Sequence, residues 1–209
     1  MRRLVIDSAT EACSVALFDG MELIAGSHAM LGRGHAEQLV PMIAALPGKG
    51  QAAAIAVNAG PGSFTGIRVG LAAARALALA WQVPIAGYSA LVLVAAMARA
   101  AHPGAAPGTA IDVVMSGGHG EWFFQPFGAD GSALAEAASL SPEAAAARSS
   151  AGLVAGSQAE ALAARRGSVP LALPLWPDAR AFALLGTDAI RPDPAPRYGR
   201  APDARLPAG

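Results

Sequence analysis

The residues best placed to do chemistry in this 209-residue chain lie in one run, Gly60-Pro61-Gly62-Ser63-Phe64-Thr65-Gly66-Ile67-Arg68. The glycines and proline cut off a short apolar strand at 54–57, and a long run of good helix formers follows. Ser63 or Thr65 can cap that helix, whose first-turn N–H groups have no intrahelical partners and could receive an anion. A Walker-type phosphate loop, however, needs a lysine and a hydroxyl directly after its last glycine. Ile67 and Arg68 stand there instead, so the nucleotide signal is weak. Arg68 could supply the phosphate charge, or it could be a solvated or ion-paired surface cation.

Other constellations are incomplete. His28, His35, His102 and His119 include no pair at i, i+3 or i+4 that would put two imidazoles on one metal. His35-Ala36-Glu37 lacks a second histidine, and His35 is expected to hydrogen-bond near the start of its helix. Cys13, the only cysteine, lies in an expected strand with no charged residue beside it, which favours a buried thiol over a nucleophile. Gly62-Ser63-Phe64 lacks the second glycine of a nucleophile elbow.

The elements that must position these residues can be read in order. The run 4–6 is a buried strand, 13–18 a second, and Asp19-Gly20 a hairpin turn into a third at 23–25. The tight 7–11 turn presents hydroxyls and a carboxylate at a sheet edge. Residues 35–46 read as a helix with Leu39, Met42, Ile43 and Leu46 on one face and Pro41 inside it, where it should bend or reset the helix. On the helix after the glycine turn, Gly62, Gly66, Gly70, Ala74 and Ala78 recur every fourth residue. Glycine costs about 1 kcal/mol relative to alanine within a helix, so something must approach that backbone closely, either the chain's own sheet or a second polypeptide. Strand 83–87 and a Ser89-capped helix to about 99 follow, and 102–108 is the best linker. Domains are therefore expected at 1–104 and 105–209. The second half reads as strands at 110–115 and 121–127, a helix from Ser141-Pro142, a strand at 152–156, and helices at 158–166 and 179–190. A proline-rich tail from Arg191 is expected to lie extended over the surface.

Fifteen basic residues balance fifteen acidic ones, so no global field draws the chain onto nucleic acid. A single cysteine excludes an internal disulfide and fits a reduced cytosol. The apolar stretch 69–98 is interrupted by Arg75, Gln82 and Pro84. No membrane span is expected, and the protein is read as soluble and cytoplasmic.

Three segments, 6–17, 35–43 and 60–70, together resemble the TsaB (YeaZ) family, as does the ending Pro196-Arg197-Tyr198-Gly199-Arg200. The resemblance is close over most of the first half and loose over the second. It implies an actin-like, sugar-kinase-type (ribonuclease H-like) fold of two α/β domains. It also implies a part in making N6-threonylcarbamoyladenosine next to the anticodon of tRNA. In that family the subunit does not catalyse the transfer but pairs with the catalytic subunit TsaD, joined by the ATPase TsaE, and meets tRNA only through the complex. TsaD-type proteins carry a histidine pair for metal where Ser89 and Leu93 stand here, so no metal site and no catalytic residue is expected.

By the same resemblance the partner surface comes from the two helices, with His35, Leu39, Met42, Ile43, Leu46, Gly66, Val69, Gly70, Ala73 and Ala74 at the contact with TsaD or with a second copy of the chain. These residues could equally face their own domain. No resident cofactor is implied, although ATP or ADP could sit at the shared interface. The connection 46–54 is short for the family, and Ser116-Gly117-Gly118-His119 replaces a usual alanine-arginine pair. The alternative is a stand-alone phosphotransferase of the same fold, with Asp7, Thr10, Gly60, Gly62, Ser63, Thr65 and Arg68 holding phosphates and Mg²⁺. A protease reading has no nucleophile, base or metal set behind it.

Overall fold

In the computed structural model, residues 1–102, 109–167 and 170–199 are described. Strands β1 (Arg2–Asp7), β2 (Ala12–Asp19) and β3 (Glu22–Met30) form an antiparallel meander through the two-residue Gly20-Met21 turn. β4 (Ala54–Asn58) and β5 (Ile85–Tyr88) add in parallel beside β1. The second sheet holds β6 (Ile111–Ser116), β7 (Trp122–Phe127), β8 (Ala138–Leu140), β9 (Leu153–Ala155) and β10 (Leu171–Leu173), in the order β10-β9-β6-β7-β8. The short β11 (Arg191–Pro192) returns to the first sheet, whose order is β11-β5-β4-β1-β2-β3.

Among the described residues, five α-helices pack on these sheets. α1 (His35–Ala44) and α2 (Phe64–Trp81) cover one face of the first sheet, where Leu4, Ile6, Ile55 and Val57 meet Leu39, Ile43, Ile67 and Leu71. The alternate strand residues Val5 and Ala56 point to the other face, which explains why β1 and β4 are apolar without alternation. α3 (Ala90–Ala101) lies between the sheets, giving Leu93 to the first core and Leu91, Val94 and Ala98 to the second. α4 (Pro142–Arg148) and α5 (Ala159–Arg165) close the far face over Val114, Trp122, Phe124 and Val154.

Several expectations need correction. The helix expected over 179–190 is two 3-10 turns, Ala179–Leu184 and Thr187–Ala189, parted by extended Leu185 and Gly186. Asp178 caps the first turn through the Arg180 N–H, and Phe182 enters the core beside Phe18 and Tyr88. This stretch and β11 pack on the first sheet, although the sequence places them in the second domain. Of the expected linker, 102–108, all but His102 lies outside the described residues. Ser89 precedes α3 without a side-chain capping bond. Pro41 sits within α1, which still starts at His35 and closes with the Ala45 N–H on the Pro41 carbonyl.

The small-residue stripe of α2 has its partner inside the chain. A Cβ at Gly62 would overlap the Ala9 carbonyl, one at Gly66 the Ser8 carbonyl, and one at Gly70 the Ser8 Oγ. Ser8 Oγ also donates to the Gly66 carbonyl at 2.8 Å, pinning the helix to the end of β1. Gly66→Ala therefore destabilises the protein by about 2 kcal/mol even though alanine favours a helix by about 1 kcal/mol. Ala76→Gly on the exposed side costs only about that propensity difference. Urea unfolding of the two variants distinguishes a steric role from a propensity effect, and a stabilised Gly66→Ala would refute the close contact.

Candidate functional site

The turn 7–11 does not present a carboxylate to a ligand. Asp7 is fully buried at the end of β1, where Oδ2 accepts from Asn58 Nδ2 at 2.7 Å and Oδ1 from the Ala9 N–H at 3.3 Å. Tyr88 Oη stands 3.0 Å from the same Oδ2 and 3.1 Å from the Ile6 carbonyl. Burial raises the Asp7 carboxyl to about 7 despite these bonds, and the nearby Asp178 pushes in the same direction. Tyr88 has one hydroxyl proton for two acceptors. A protonated Asp7 resolves this by donating to Tyr88 Oη, which leaves the tyrosine proton for Ile6. Thr10 is buried as well, its Oγ1 accepting from the Ala12 N–H at 3.3 Å.

The glycine turn is closed from outside. Asn58 Oδ1 takes the Gly60 N–H at 2.8 Å, and a Cβ at Gly60 would overlap the Arg197 carbonyl. Ser63 caps α2 by accepting from the Gly66 N–H at 3.3 Å. Thr65 and Arg68 are exposed, and Arg68 donates from Nε to Tyr198 Oη at 3.0 Å while lying 3.6 Å over the Phe64 ring. The seven residues assigned to phosphate and Mg²⁺ thus lie on adjoining loops and the start of α2 without converging on one open site. Asp7 and Thr10 are inside, Gly60 and Gly62 face the chain's own backbone, and Ser63, Thr65 and Arg68 stand at the surface. This arrangement gives the phosphotransferase alternative no support. Among the described residues no three His, Cys, Asp or Glu side chains are grouped as metal donors. Cys13 is buried in β2, and its thiol is pushed up to about 11 by burial and by Asp7.

The expected contact residues divide in the same way. Leu39, Ile43 and Leu46 are core residues rather than knobs for a partner. Gly66, Gly70 and Ala74 are buried against the first sheet, and His35 is buried with Nε2 3.3 Å from the Ala12 carbonyl. Met42, Val69 and Ala73 are half-buried at the margin of that core. The exposed apolar residues are one step around each helix, Ala36, Val40 and Ala44 on α1 and Ala72, Ala76 and Leu79 on α2, beside exposed Glu37, Gln38, Thr65, Arg68 and Arg75. Val40 is 61% and Leu79 82% exposed. By length and a mean hydropathy of 1.2, α2 could cross a membrane, yet only a third of it is buried and that third lies on the sheet. The signal for this outer face was available in the sequence: apart from Thr65, Arg68 and Arg75 the helix is made of apolar residues and glycine, more apolar surface than one sheet can cover.

The Asp7 group makes stability depend on pH. Its folded value lies above its ordinary one, so the folded state holds the proton that the unfolded chain releases. The contribution is complete below about pH 4 and falls by about 1.4 kcal/mol per unit until it is lost near pH 7. Asp7→Asn should remove this slope. Denaturant unfolding at pH 5 and pH 8 should show wild type losing about 2–3 kcal/mol that the variant keeps. Parallel curves for the two proteins would contradict the assignment.

Comparison with known proteins agrees with this architecture. Residues 29–191 match the family model described as TsaD, tRNA N6-adenosine threonylcarbamoyltransferase. The tRNA threonylcarbamoyladenosine biosynthesis protein TsaB of Escherichia coli is 40% identical over 101 residues, 46% of this chain and 43% of that protein. The chain spans about half the length of the curated relatives it matches. YeaZ from Pseudomonas aeruginosa superposes with a TM-score of 0.70 at 25% identity, covering 86% of this chain and 87% of that one. Ethanolamine utilization protein EutJ from Carboxydothermus hydrogenoformans, at 12% identity and a TM-score of 0.50 over 89% and 90% of the two chains, shares the fold alone. With its actin-like pair of α/β sheets, the chain belongs to the family of the TsaD model, and over about half its length it is similar to the TsaB proteins.

Proposed function

We propose that the chain is a non-catalytic subunit that pairs with a TsaD-type catalytic subunit in the N6-threonylcarbamoyladenosine modification of tRNA. The observation that carries this reading is the uncovered apolar face of α1 and α2, with Val40 and Leu79 exposed at 61% and 82%. An 18-residue apolar helix with only a third of its residues buried needs a further cover. The biosynthetic role named for its relatives supplies the partner's identity.

Two features support placing the chemistry in the partner. The two positions where a TsaD-type metal site has histidines hold Ser89 and Leu93, neither of which has an imidazole, and Leu93 is a core residue. Asp7, the buried carboxyl at the end of β1, has its oxygens taken by Asn58, Tyr88 and Ala9. On this reading the chain holds no cofactor of its own, ATP or ADP sits at the shared interface if anywhere, and a TsaE-type ATPase joins the pair in the cytoplasm. With fifteen basic and fifteen acidic residues, tRNA is met through the complex. When alone, the chain uses the same face to form a homodimer.

Mixing with a purified TsaD-type subunit at micromolar concentration should give a heterodimer by size-exclusion with light scattering. Leu79→Glu and Val40→Glu should each weaken it at least about tenfold, or 1.4 kcal/mol, with unfolding free energies within about 0.5 kcal/mol of wild type. Separate elution of the unmodified pair would refute the pairing. Undiminished binding by both variants would move the contact elsewhere.

A further inference from the structure

Residues 191–199 form a strap over the ends of β4 and β5. β11 pairs Arg191 with Gly87 and Pro192 with Ala86, and the Arg197 N–H donates to the Ala59 carbonyl at 2.7 Å. Gly87 and Gly199 leave no room for a Cβ, the first against Pro194 and the second against Phe123 of β7 and Pro61. The strap therefore touches both sheets as well as the glycine turn.

It also holds every charge on α2. That helix carries two ionisable residues, Arg68 and Arg75, seven positions and so two turns apart. Arg75 Nη2 donates to the Pro194 carbonyl at 2.9 Å, and Arg68 Nε to Tyr198 Oη at 3.0 Å. Phe64 completes the cluster, with ring centroids 4.7 Å from Tyr198 and the Arg68 guanidinium 3.6 Å above it. Phe64 is 51% exposed, so this stack is not part of a core. Exposed cation–π contacts add little to stability, but they fix side chains that would otherwise sample many rotamers. The stack on Arg68 and the Pro194 bond to Arg75 tie both guanidinium groups to the strap, and Ala72, Ala76 and Leu79 form an uncharged exposed ridge.

We infer that Tyr198 is a positioning residue for partner docking: through Arg68 and Phe64 it holds the strap against α2, so that strap and ridge meet the TsaD-type subunit as one preformed surface. This rests on the scaffold reading above. Preorganisation lowers the ordering cost of association, so loss of the clamp appears in affinity rather than in folding.

The test is a double-mutant cycle on binding to the TsaD-type subunit, with thermal unfolding measured alongside. Tyr198→Ala and Arg68→Ala should each weaken the complex about tenfold, and the double variant no more than either single one. Tyr198→Phe, which keeps the ring and loses the hydroxyl acceptor, should recover part of the loss. Hydrogen exchange on the free chain should quicken over 64–70 in Tyr198→Ala while the unfolding midpoint stays put. A midpoint that drops in step with affinity, fully additive effects, or wild-type affinity in Tyr198→Ala would overturn the inference. If the unmodified chain forms no complex at all, the scaffold reading fails and this role falls with it. A complex formed equally well by every variant removes the positioning role alone.

Discussion

The contact between the first half of α2 and the backbone at Ser8 and Ala9 sets the position of nearly everything else around the first sheet. Helices pack on sheets at a distance fixed by the side chains between them, and at Gly62, Gly66 and Gly70 the helix start has none to hold it off the 8–9 backbone. The helix drops onto the end of β1 until the Ser8 hydroxyl can reach the Gly66 carbonyl. Once α2 is that close, the Ser63 cap and the glycine turn lie against the 7–11 loop, with the Ser63 N–H donating to the Ala9 carbonyl at 2.7 Å. The strap can then bridge the turn through Arg197 and the flank of α2 through Arg68 and Arg75.

The same closeness explains why a site-like set of residues has lost its opening. A carboxyl at the end of the first strand, a glycine turn and a helix start are the parts from which an α/β sheet builds a phosphate site at the carboxyl ends of its strands. In this chain Asp7 is turned inward and completed by Asn58 and Tyr88, while Arg197 covers Gly60. A carboxyl shielded from solvent by burial is held more cheaply as the neutral acid, which is the direction in which burial moves Asp7. The three side chains form a polar knot within the fold, and their chemistry is used internally.

Much of this architecture is legible in the residues because local signals agree. The hairpin at Asp19-Gly20, the break at Gly60-Pro61-Gly62 and the proline at the first position of α4 each mark a boundary by backbone physics. What the residues do not carry is the direction an amphipathic face points. Leu39, Ile43 and Leu46 recur with helical period whether they meet the chain's own sheet or another protein, and only the three-dimensional fold assigns them to the core. Long-range returns are equally silent. Three-residue strands such as β8 and β10 are too short for a periodic signal, and nothing near Arg191 announces pairing with Gly87 more than 100 positions earlier. Phe182 suggests a helix by composition, yet its burial beside Tyr88 is satisfied by a 3-10 turn.

The character of the outer ridge limits what can cover it. Ala72 and Ala76 project little beyond the backbone, and the one large side chain on the ridge, Leu79, stands at its far end. A surface of that shape offers few anchoring pockets, so affinity has to come from close helix-to-helix approach over a long line of contact. Close approach in turn requires that no long charged side chain lie across the line, and α2 meets this condition because its only two arginines are tethered to the strap. The glycines on the inner side and the alanines on the outer side therefore answer the same geometric demand twice, once toward the sheet and, on the scaffold reading, once toward the partner. On that reading a second copy and a TsaD-type subunit would compete for one ridge, since a helix with its inner face already on β1 has only one face left to give.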